Sequence, residues 1–421
     1  IPYQRGQMGL AYEIVIKSVP TISYLMEENS MTMQTLVIAH ACFGHNSFFK
    51  NNSFFREWTD AEGILDYLQF AKNYIQKCEE RYGHSEVEAI LDSCHALMAH
   101  GVDRYKRPSK LSALEEEKRQ QQREIDIQKS LNDLWRTVPT KKEQSEYTEK
   151  RFPSHPEENI LYFIEKYSPS LEIWQREIVR IVRKISQYFY PQKQTQVMNE
   201  GWATFTHYYI MTRLYEKGLI TDGSYQEFLH SHTNVITQPP MSNSWNPYAL
   251  GFAMFNDIKR ICENPTDEDK EWFPHIAGSP WLETLHHAMQ EYRDSSFIQQ
   301  FLSPKLIRDF KMFSISDEQR RDYFEISHIQ NERGYKQIRK NLSESYSISK
   351  REPDIQVYNV NLKGDRTLRL RHNVYNGITL GKYTEEVLKH VRSLWGYGVS
   401  LESVDAFNNA ILASYELRSI N

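Results

Sequence analysis

Residues 198–207 read Met-Asn-Glu-Gly-Trp-Ala-Thr-Phe-Thr-His, a segment that places a carboxylate and an imidazole among large apolar side chains. The spacing predicts a helix on which Glu200, Thr204 and His207 share one face, since residues four and seven apart follow the helical repeat. Ionisable groups are rarely buried unless they are paired or bind a metal. Two interpretations follow: a hydrogen-bonded polar pair in the core, or a functional site centred on Glu200.

A second segment, residues 31–50, reads MTMQTLVIAHACFGHNSFFK and is apolar on most sides of a helix. It predicts a buried helix that presents His40 and His45. Five residues advance an ideal α-helix by about 140° beyond one full turn, so the two imidazoles would face different directions. If both bind one ion, we expect a π-bulge or a kink near Gly44. The alternative is a packing role, in which each imidazole hydrogen-bonds a polar group of a neighbouring helix.

Length, charge and cysteine usage limit the class of protein. The chain has 421 residues, and its net charge of -4 gives no electrostatic reason to expect a nucleic-acid partner. It contains no apolar run near the roughly 20 residues that span a bilayer, and no signal-peptide pattern. These features predict a cytoplasmic protein without membrane insertion. The four cysteines lack C-x-x-C spacing, so any metal site would use histidine and carboxylate ligands.

Helical periodicity dominates the first three quarters of the chain. The apolar stripe from Trp174 to Phe189 predicts the most regular helix, which Pro191 is expected to end. Residues 111–150 are rich in charged and amide side chains and predict a charged linker or an exposed helix. Residues 1–30 give a mixed pattern without a clear assignment.

The period of the pattern changes near residue 312, which is the predicted domain boundary. We predict a mainly α protein, with a large multi-helix domain over residues 1–311 that carries the site and a small C-terminal α+β module over residues 312–421. The module is predicted from a strand pair at 312–316 and 323–326, a hairpin at 355–362 and 366–371, a helix from Thr384 to Trp395 that Gly396 ends, and a last strand near Val399.

The histidines and the carboxylate suggest a metal centre. Two imidazoles, one carboxylate and a water form a common catalytic zinc set, which His40, His45 and Glu200 could supply. Glu200 is also a candidate catalytic group. Seven residues place His207 about 10.5 Å from Glu200 along a helix axis, so His207 is expected beside the ligands or facing a substrate.

Further polar residues are assigned less direct roles. His95 is a spare metal ligand, and Arg104 either neutralises a carboxylate in the site as part of the catalytic set or forms an ordinary salt bridge. The other histidines considered are predicted to be exposed or to lie at helix ends: His230, His232, His286 and His287.

Residues 199–203, N-E-G-W-A, resemble the element in which gluzincin metallopeptidases carry a carboxylate ligand. This resemblance implies a gluzincin-like helical core and a divalent metal, zinc. The match is incomplete, because gluzincins use H-E-x-x-H, whereas Ala41 stands where their general base would be.

The whole chain resembles the SpoVR family. The resemblance implies a likeness to stage V sporulation protein R, which is implicated in spore cortex formation, but it supplies no established reaction. It also implies two partners, a PrkA-type serine kinase and a von Willebrand A-like protein, because these are commonly encoded beside family members. The segments that carry the resemblance are H-A-C-F-G-H-N-S-F-F-K-N-N at 40–52, Q-Y-F-Y-P-Q at 187–192, M-N-E-G-W-A-T-F at 198–205 and N-P-Y-A-L-G at 246–251.

Three functional hypotheses remain open from the sequence. The first is a metal-dependent hydrolase of amide bonds in peptide or peptidoglycan-related material. The second is a non-enzymatic regulatory or scaffold protein of a kinase-linked stress or sporulation system, with a purely structural polar core. The third is a redox or oxygen-handling site, because histidine and glutamate also suit iron and manganese.

Overall fold

The computed structural model describes residues 13–104, 118, 152–239, 244–316, 325–327, 329, 331–375 and 377–419. Its helices, in chain order, are α1 (Met31–Ile38), a π-helix (Ala39–His45), α2 (Asn46–Asn51), α3 (Ser53–Trp58), α4 (Ile64–Tyr82), α5 (His84–Ala96), a 3-10 helix (Met98–His100), α6 (Ile160–Tyr167), α7 (Ile173–Gln194), α8 (Gln196–Glu216), α9 (Asp222–Val235), α10 (Pro247–Glu263), α11 (Asp267–Trp272), α12 (Trp281–Glu291), α13 (Asp294–Phe301), α14 (Pro304–Asp309), α15 (Glu332–Ser345), α16 (Ile348–Arg351) and α17 (Thr384–Trp395). Its strands are β1 (Glu13–Ile16), β2 (Ile22–Leu25), β3 (Ser314–Ser316), β4 (Glu325–Ser327), β5 (Asp354–Val360), β6 (Leu368–Val374), β7 (Val399–Asp405) and β8 (Ile411–Leu417).

The predicted fold class is confirmed: the described residues are mainly α, with a small C-terminal α+β module. The chain forms two compact units, here called unit 1 (Ile1–Asn73 with Gln187–Glu352) and unit 2 (Tyr74–Ser186 with Pro353–Asn421). The domain boundary near residue 312 stays a prediction, and along the sequence the four-stranded sheet begins at Asp354. The charged segment 111–150 lies outside the described residues except for Lys118.

Helix α8 is the central element of unit 1 because it contacts both α10 and the π-helix. A Cβ atom added to Gly251 of α10 would lie 2.1 Å from the carbonyl oxygen of Val197 and 2.6 Å from the Cα atom of Gly201, both on α8. A Cβ atom added to Gly44 of the π-helix would lie 2.5 Å from the Cα atom of Ala203. The backbones therefore touch on two sides of α8, which only glycine at these positions allows.

The N-terminus of α8 is held by a buried carboxylate from another helix. Thr195, the residue before α8, makes no side-chain capping hydrogen bond. Instead, Asp294 of α13 accepts hydrogen bonds from the backbone N–H groups of Val197 at 3.0 Å and Met198 at 2.9 Å. An anionic group at a helix N-terminus satisfies otherwise unpaired N–H groups and favours the helix dipole. The carboxylate thus fixes where α8 begins.

Aromatic packing fills the core of unit 1 around α8. The ring of Trp202 meets Phe255 of α10 edge-on, with centroids 5.5 Å apart, and its indole N–H donates to the hydroxyl of Ser47 at 2.8 Å. Phe255 is fully buried and packs in turn on Phe297 of α13 at 4.9 Å. Each such side chain contributes roughly 1.5–3 kcal/mol on burial, so this cluster accounts for much of the stability of unit 1.

In unit 1 the structure defines one segment that had no assignment, and it shows that one helix end was predicted wrongly. Residues 13–25, which gave a mixed pattern, form the antiparallel hairpin β1–β2, in which Glu13 pairs with Leu25 and Ile16 with Ile22. Helix α7 does not end at Pro191 but continues to Gln194. Pro191 lacks the N–H group that would donate to residue i−4, and the helix continues for only three residues beyond it.

Unit 2 contains a sheet with the strand order β5-β6-β7-β8. The predicted hairpin β5–β6 is antiparallel, and α17 provides the connection to β7, which lies parallel to β6. Helix α17 has the predicted bounds, and Gly396 ends it with a positive φ of 83°. Strand β8, antiparallel to β7, was not predicted.

The predicted strand pair near residue 312 is also confirmed, as β3 with β4.

Within the part of the chain that the structure describes, every helix is too short or too polar to cross a membrane.

The close contact between α8 and α10 predicts the effect of Gly251→Ala. The added methyl group meets backbone atoms that cannot rotate away, so we expect the free energy of unfolding to fall by about 2 kcal/mol or more. Gly63→Ala is the matched control, because its Cβ would meet no atom within 4 Å and should change stability little. Urea denaturation of both variants measures the difference, and equal stabilities would contradict the described packing.

Candidate metal centre

The π-helix brings two histidines to one side of the backbone. Over Ala39–His45 the hydrogen bonds run from residue i+5 to residue i, as in the bond from the Asn46 N–H to the Ala41 carbonyl. Residues five apart therefore lie close to one another, unlike in an α-helix. The ring centroids of His40 and His45 are 4.6 Å apart, with an interplanar angle of 89°. The π-bulge that shared binding of one ion requires is thus present.

Two carboxylates face the Nε2 atoms of these histidines. An oxygen of Glu13, from β1, lies 3.4 Å from Nε2 of His40 and 3.6 Å from Nε2 of His45. An oxygen of Glu200, from α8, lies 3.9 Å and 3.7 Å from the same two atoms. Ligands placed about 2.0–2.1 Å from a tetrahedral ion are roughly 3.3 Å apart. The spacing is therefore close to that of a metal site, and Glu13, His40 and His45 form a group that could hold an ion.

Several polar atoms at this point have no hydrogen-bond partner among the described residues. They are Nε2 of His40, Oε2 of Glu13 and Oε2 of Glu200, and each is buried. A buried polar atom that lacks a partner costs about 1–3 kcal/mol, so such atoms on three neighbouring residues are unusual in a purely structural core. A divalent cation bound between Nε2 of His40, Oε1 of Glu13 and Oε2 of Glu200 would engage one atom of each residue, and the residues therefore fit a metal ion.

The other ring nitrogen of each histidine is already engaged. Nδ1 of His45 donates to the side-chain oxygen of Asn199 at 2.9 Å, which leaves Nε2 free of hydrogen. Nδ1 of His40 lies 2.9 Å from Nδ1 of His207. The second nitrogen of His207, Nε2, lies 2.9 Å from Nδ1 of His232 on α9. Both candidate ligands thus turn Nε2 toward the carboxylates and are oriented by hydrogen bonds from behind.

Burial favours the neutral forms of His40 and His207 and the protonated form of the Glu13 carboxyl group. The pKa of His40 is far below its usual value because of burial and then of the neighbouring imidazoles, and burial likewise lowers the pKa of His207. Burial, followed by the charge of Glu200, raises the pKa of Glu13 to about 8. Neutral imidazole is the form that binds metals, whereas Glu13 must give up a proton to bind one.

The centre is least buried on the Glu200 side. The side chain of Glu200 is 19% exposed, compared with 1% for His40 and 8% for Glu13. Tyr248 of α10 forms a side-chain hydrogen bond with Glu200, and burial and then this carboxylate raise the pKa of the phenol. Glu200 is therefore the least buried of these groups, although its Oε2 atom, which faces the histidines, is itself buried.

Three of the predicted residues meet at this centre, and others do not. His40, His45 and Glu200 are brought together, and His207 contacts His40 rather than the carboxylates. His95 has an exposed side chain on α5, in unit 2, and is not part of the clustered ligands in the described chain.

Two further assignments can be compared with the structure. Arg104, also in unit 2, donates its backbone N–H to Glu158 at 3.4 Å, and its catalytic role, like the ligand role of His95, stays a prediction. Of the histidines predicted to be exposed or at helix ends, His230, His286 and His287 are exposed, whereas His232 lies in the last turn of α9 and is only 3% exposed.

The sequence reasoning missed Glu13, Asn199, Tyr248 and the buried position of His232. A signal for Glu13 was available, because the runs E-I-V-I and I-S-Y-L flank Pro20 and are typical of a short hairpin. Successive side chains of β1 point to opposite faces of the strand, so Glu13 lies on the face opposite to that of the exposed Ile14. No local pattern indicated that Tyr248 would reach Glu200.

Comparison with known proteins shows the family to which the chain belongs. The profile described as SpoVR like protein matches residues 1–351, and the one described as SpoVR-like C-terminal domain matches residues 353–406. The chain therefore belongs to the SpoVR family. It is 62% identical over 405 residues to "Uncharacterized protein YcgB" of Escherichia coli (strain K12), an alignment that covers 95% of this chain and 79% of that protein. No solved structure matches the chain.

The cluster predicts stoichiometric binding of a divalent ion that depends on Glu13 and His45. We expect the wild-type protein, dialysed after incubation with Zn²⁺, to retain the metal, and Glu13→Gln and His45→Ala to bind it at least about tenfold more weakly. Glu27→Gln, an exposed glutamate of unit 1, is the control and should bind as the wild type does. Elemental analysis with circular dichroism measures both metal content and folding. Folded wild-type protein that takes up no metal would disprove the centre.

The raised pKa of Glu13 predicts how metal stabilisation varies with pH. In the metal-free protein, protonated Glu13 contributes stability that is fully present below its ordinary pKa of 4.5 and is lost as the pH rises through about 8. A bound ion takes the ionised carboxylate, so the increase in Tm that Zn²⁺ causes should be larger at about pH 8 than at about pH 6. Thermal denaturation with and without Zn²⁺ tests this, and an increase that is independent of pH would contradict it.

Proposed function

We propose that the protein is a metal-dependent hydrolase of amide bonds, with zinc held by Glu13, His40 and His45. One observation carries the proposal: the buried, unpartnered Nε2 atom of His40 faces an oxygen of Glu13 at 3.4 Å and the unpartnered Oε2 atom of Glu200 at 3.9 Å. Three protein ligands with a further position open to solvent are typical of catalytic rather than structural zinc sites.

The ligand assignment separates the two carboxylates by their distance and exposure. Glu13 is closer to Nε2 of His40 than Glu200 is, at 3.4 Å against 3.9 Å, and it is the more buried of the two. Buried carboxylates suit a ligand role, whereas a partly exposed one can exchange protons with water and substrate. We therefore assign Glu13 to the metal and Glu200 to proton transfer, although Glu200 remains close enough to reach the ion.

The chemistry divides between the ion and the side chains. A bound zinc ion supplies Lewis acidity, which polarises an amide carbonyl and acidifies a water molecule. Glu200 is placed to accept the proton of the attacking water and to return it to the leaving amine as the C–N bond breaks. Tyr248 keeps its phenolic proton because its pKa is raised, so it can donate a hydrogen bond to the negative oxygen that develops on the carbonyl.

The proposed substrate class is peptide or peptidoglycan-related amide bonds. Its support is the family resemblance to stage V sporulation protein R, since the named relative is itself described as uncharacterized. We further propose, on the same resemblance, that the protein acts together with a PrkA-type kinase and a von Willebrand A-like protein. Neither partner is needed for the chemistry at Glu200.

Glu200→Gln tests the assignment directly, because it removes the base while keeping the size of the side chain. We expect the zinc-loaded variant to retain its metal but to lose about 10²- to 10⁴-fold in kcat on a peptide or peptidoglycan-fragment library. Tyr248→Phe should lose about 10²-fold by removal of one hydrogen-bond donor. Glu27→Gln, exposed in unit 1, is the control and should remain active.

The outcomes of this experiment distinguish the hypotheses. Loss of zinc in Glu200→Gln would make Glu200 a ligand and overturn its role as the base. A zinc-loaded wild type without hydrolysis of any library member would reject the hydrolase and leave a regulatory or scaffold role for the family.

A further inference from the structure

Three imidazoles form one continuous hydrogen-bonded row behind the candidate metal centre. Nδ1 of His40 lies 2.9 Å from Nδ1 of His207, and Nε2 of His207 lies 2.9 Å from Nδ1 of His232. The three residues are 1%, 0% and 3% exposed, respectively. The row starts on the π-helix, crosses α8 and ends on α9, so it links three separate helices of unit 1.

Aromatic groups enclose the end of the row that lies away from the carboxylates. The ring of His232 stacks on Tyr208 with centroids 4.9 Å apart and meets Phe252 edge-on at 4.8 Å. Such buried, aromatic surroundings favour the neutral form of an imidazole over the charged one. A neutral imidazole carries one hydrogen, so each ring donates through one nitrogen and accepts through the other.

With one hydrogen on each ring, the row allows only two orders of donors. In the first, His40 donates through Nδ1 to His207, and His207 donates through Nε2 to His232, which leaves Nε2 of His40 bare. In the second, every hydrogen bond is reversed, and Nε2 of His40 carries a hydrogen that points toward Glu13, 3.4 Å away. Only the first order allows His40 to bind a metal through Nε2.

The backbone favours the first order. The backbone carbonyl of Ala203, one turn before His207 on α8, also accepts a hydrogen bond from His40, whose Nε2 atom makes none. His40 therefore has two acceptors on α8, the Ala203 carbonyl and Nδ1 of His207. A hydrogen on Nδ1 of His40, on the side of the ring that faces away from the carboxylates, satisfies both acceptors.

We propose that His207 and His232 are positioning residues, which fix the donor order of this row and thereby hold Nε2 of His40 bare and aimed at the metal. The proposal rests on the metal centre of the proposed function but not on hydrolysis. His232 acts through His207, and His207 acts through His40, so neither touches the ion. Partners of ligand histidines typically contribute 10- to 100-fold to metal affinity, and the outermost ring should contribute at the lower end.

The test combines tautomer assignment with zinc affinity and uses Zn²⁺ alone as the probe. Long-range ¹H–¹⁵N spectra of histidine-labelled wild-type protein report which ring nitrogen carries hydrogen. With Zn²⁺ bound, we expect His207 and His232 to be protonated at Nε2 and His40 at Nδ1. Competition with a chelator then measures zinc affinity in variants of His232.

Two variants of His232 separate positioning from packing. His232→Leu removes the acceptor and should weaken zinc binding by about tenfold. His232→Asn places its side-chain oxygen near the former Nδ1, so it can accept from His207 and should restore affinity to within about twofold of the wild type. His230→Leu, on the exposed side of the same helix, is the control and should bind zinc as the wild type does.

Each other outcome overturns the proposal. Wild-type affinity in folded His232→Leu, or equal weakening in His232→Leu and His232→Asn, would show that the acceptor is not what matters. In the zinc-bound wild type, a hydrogen on Nδ1 of His207 would show that the donor order of the row is the reverse of the proposed one. This measurement uses the wild type alone, so it does not depend on the folding of a variant. Failure of the protein to bind zinc would reject both proposals, whereas correct tautomers without hydrolysis would reject only the enzymatic function.

Discussion

The candidate centre depends on a shift of the backbone hydrogen bonds to i+5 spacing over Ala39–His45. In a regular α-helix, His45 would point about 140° away from His40, and no single ion could contact both. The π-helix removes this difference and places both Nε2 atoms within 3.4–3.9 Å of carboxylate oxygens. π-helices are rare, and here Gly44 allows the irregular turn to rest directly on Ala203 of α8.

Helix α8 joins the stability of unit 1 to its chemistry. On its apolar sides it packs through Gly201 and Trp202, and its polar positions supply partners for both histidines, Asn199 for His45 and His207 for His40. Asp294 fixes its first turn through backbone N–H groups. Because packing and hydrogen bonding converge on the same helix, displacement of α8 would disturb the core and the centre together.

Membership of the SpoVR family and the geometry of the centre provide different information. The family matches cover most of the chain, but a relative named as uncharacterized transfers no reaction. The case for chemistry comes from unpartnered buried atoms beside Glu200, the most solvent-accessible of the four groups that face one another. A purely structural core would leave such atoms paired, because each unpaired atom lowers stability.

The sequence by itself determined the helical class, helix α17 with Gly396 at its end, the β5–β6 hairpin and the three residues His40, His45 and Glu200. These follow from local periodicity, turn chemistry and the rarity of ionisable groups in apolar segments. Only the tertiary structure decided that Glu13 completes the ligand group and that His232 is buried. A four-residue strand such as β1 carries little local preference, and its place is set by pairing with β2 and by contact with the π-helix. His232 is enclosed by Tyr208 and Phe252, which belong to other helices, and burial of this kind depends on distances in space rather than on spacing along the chain.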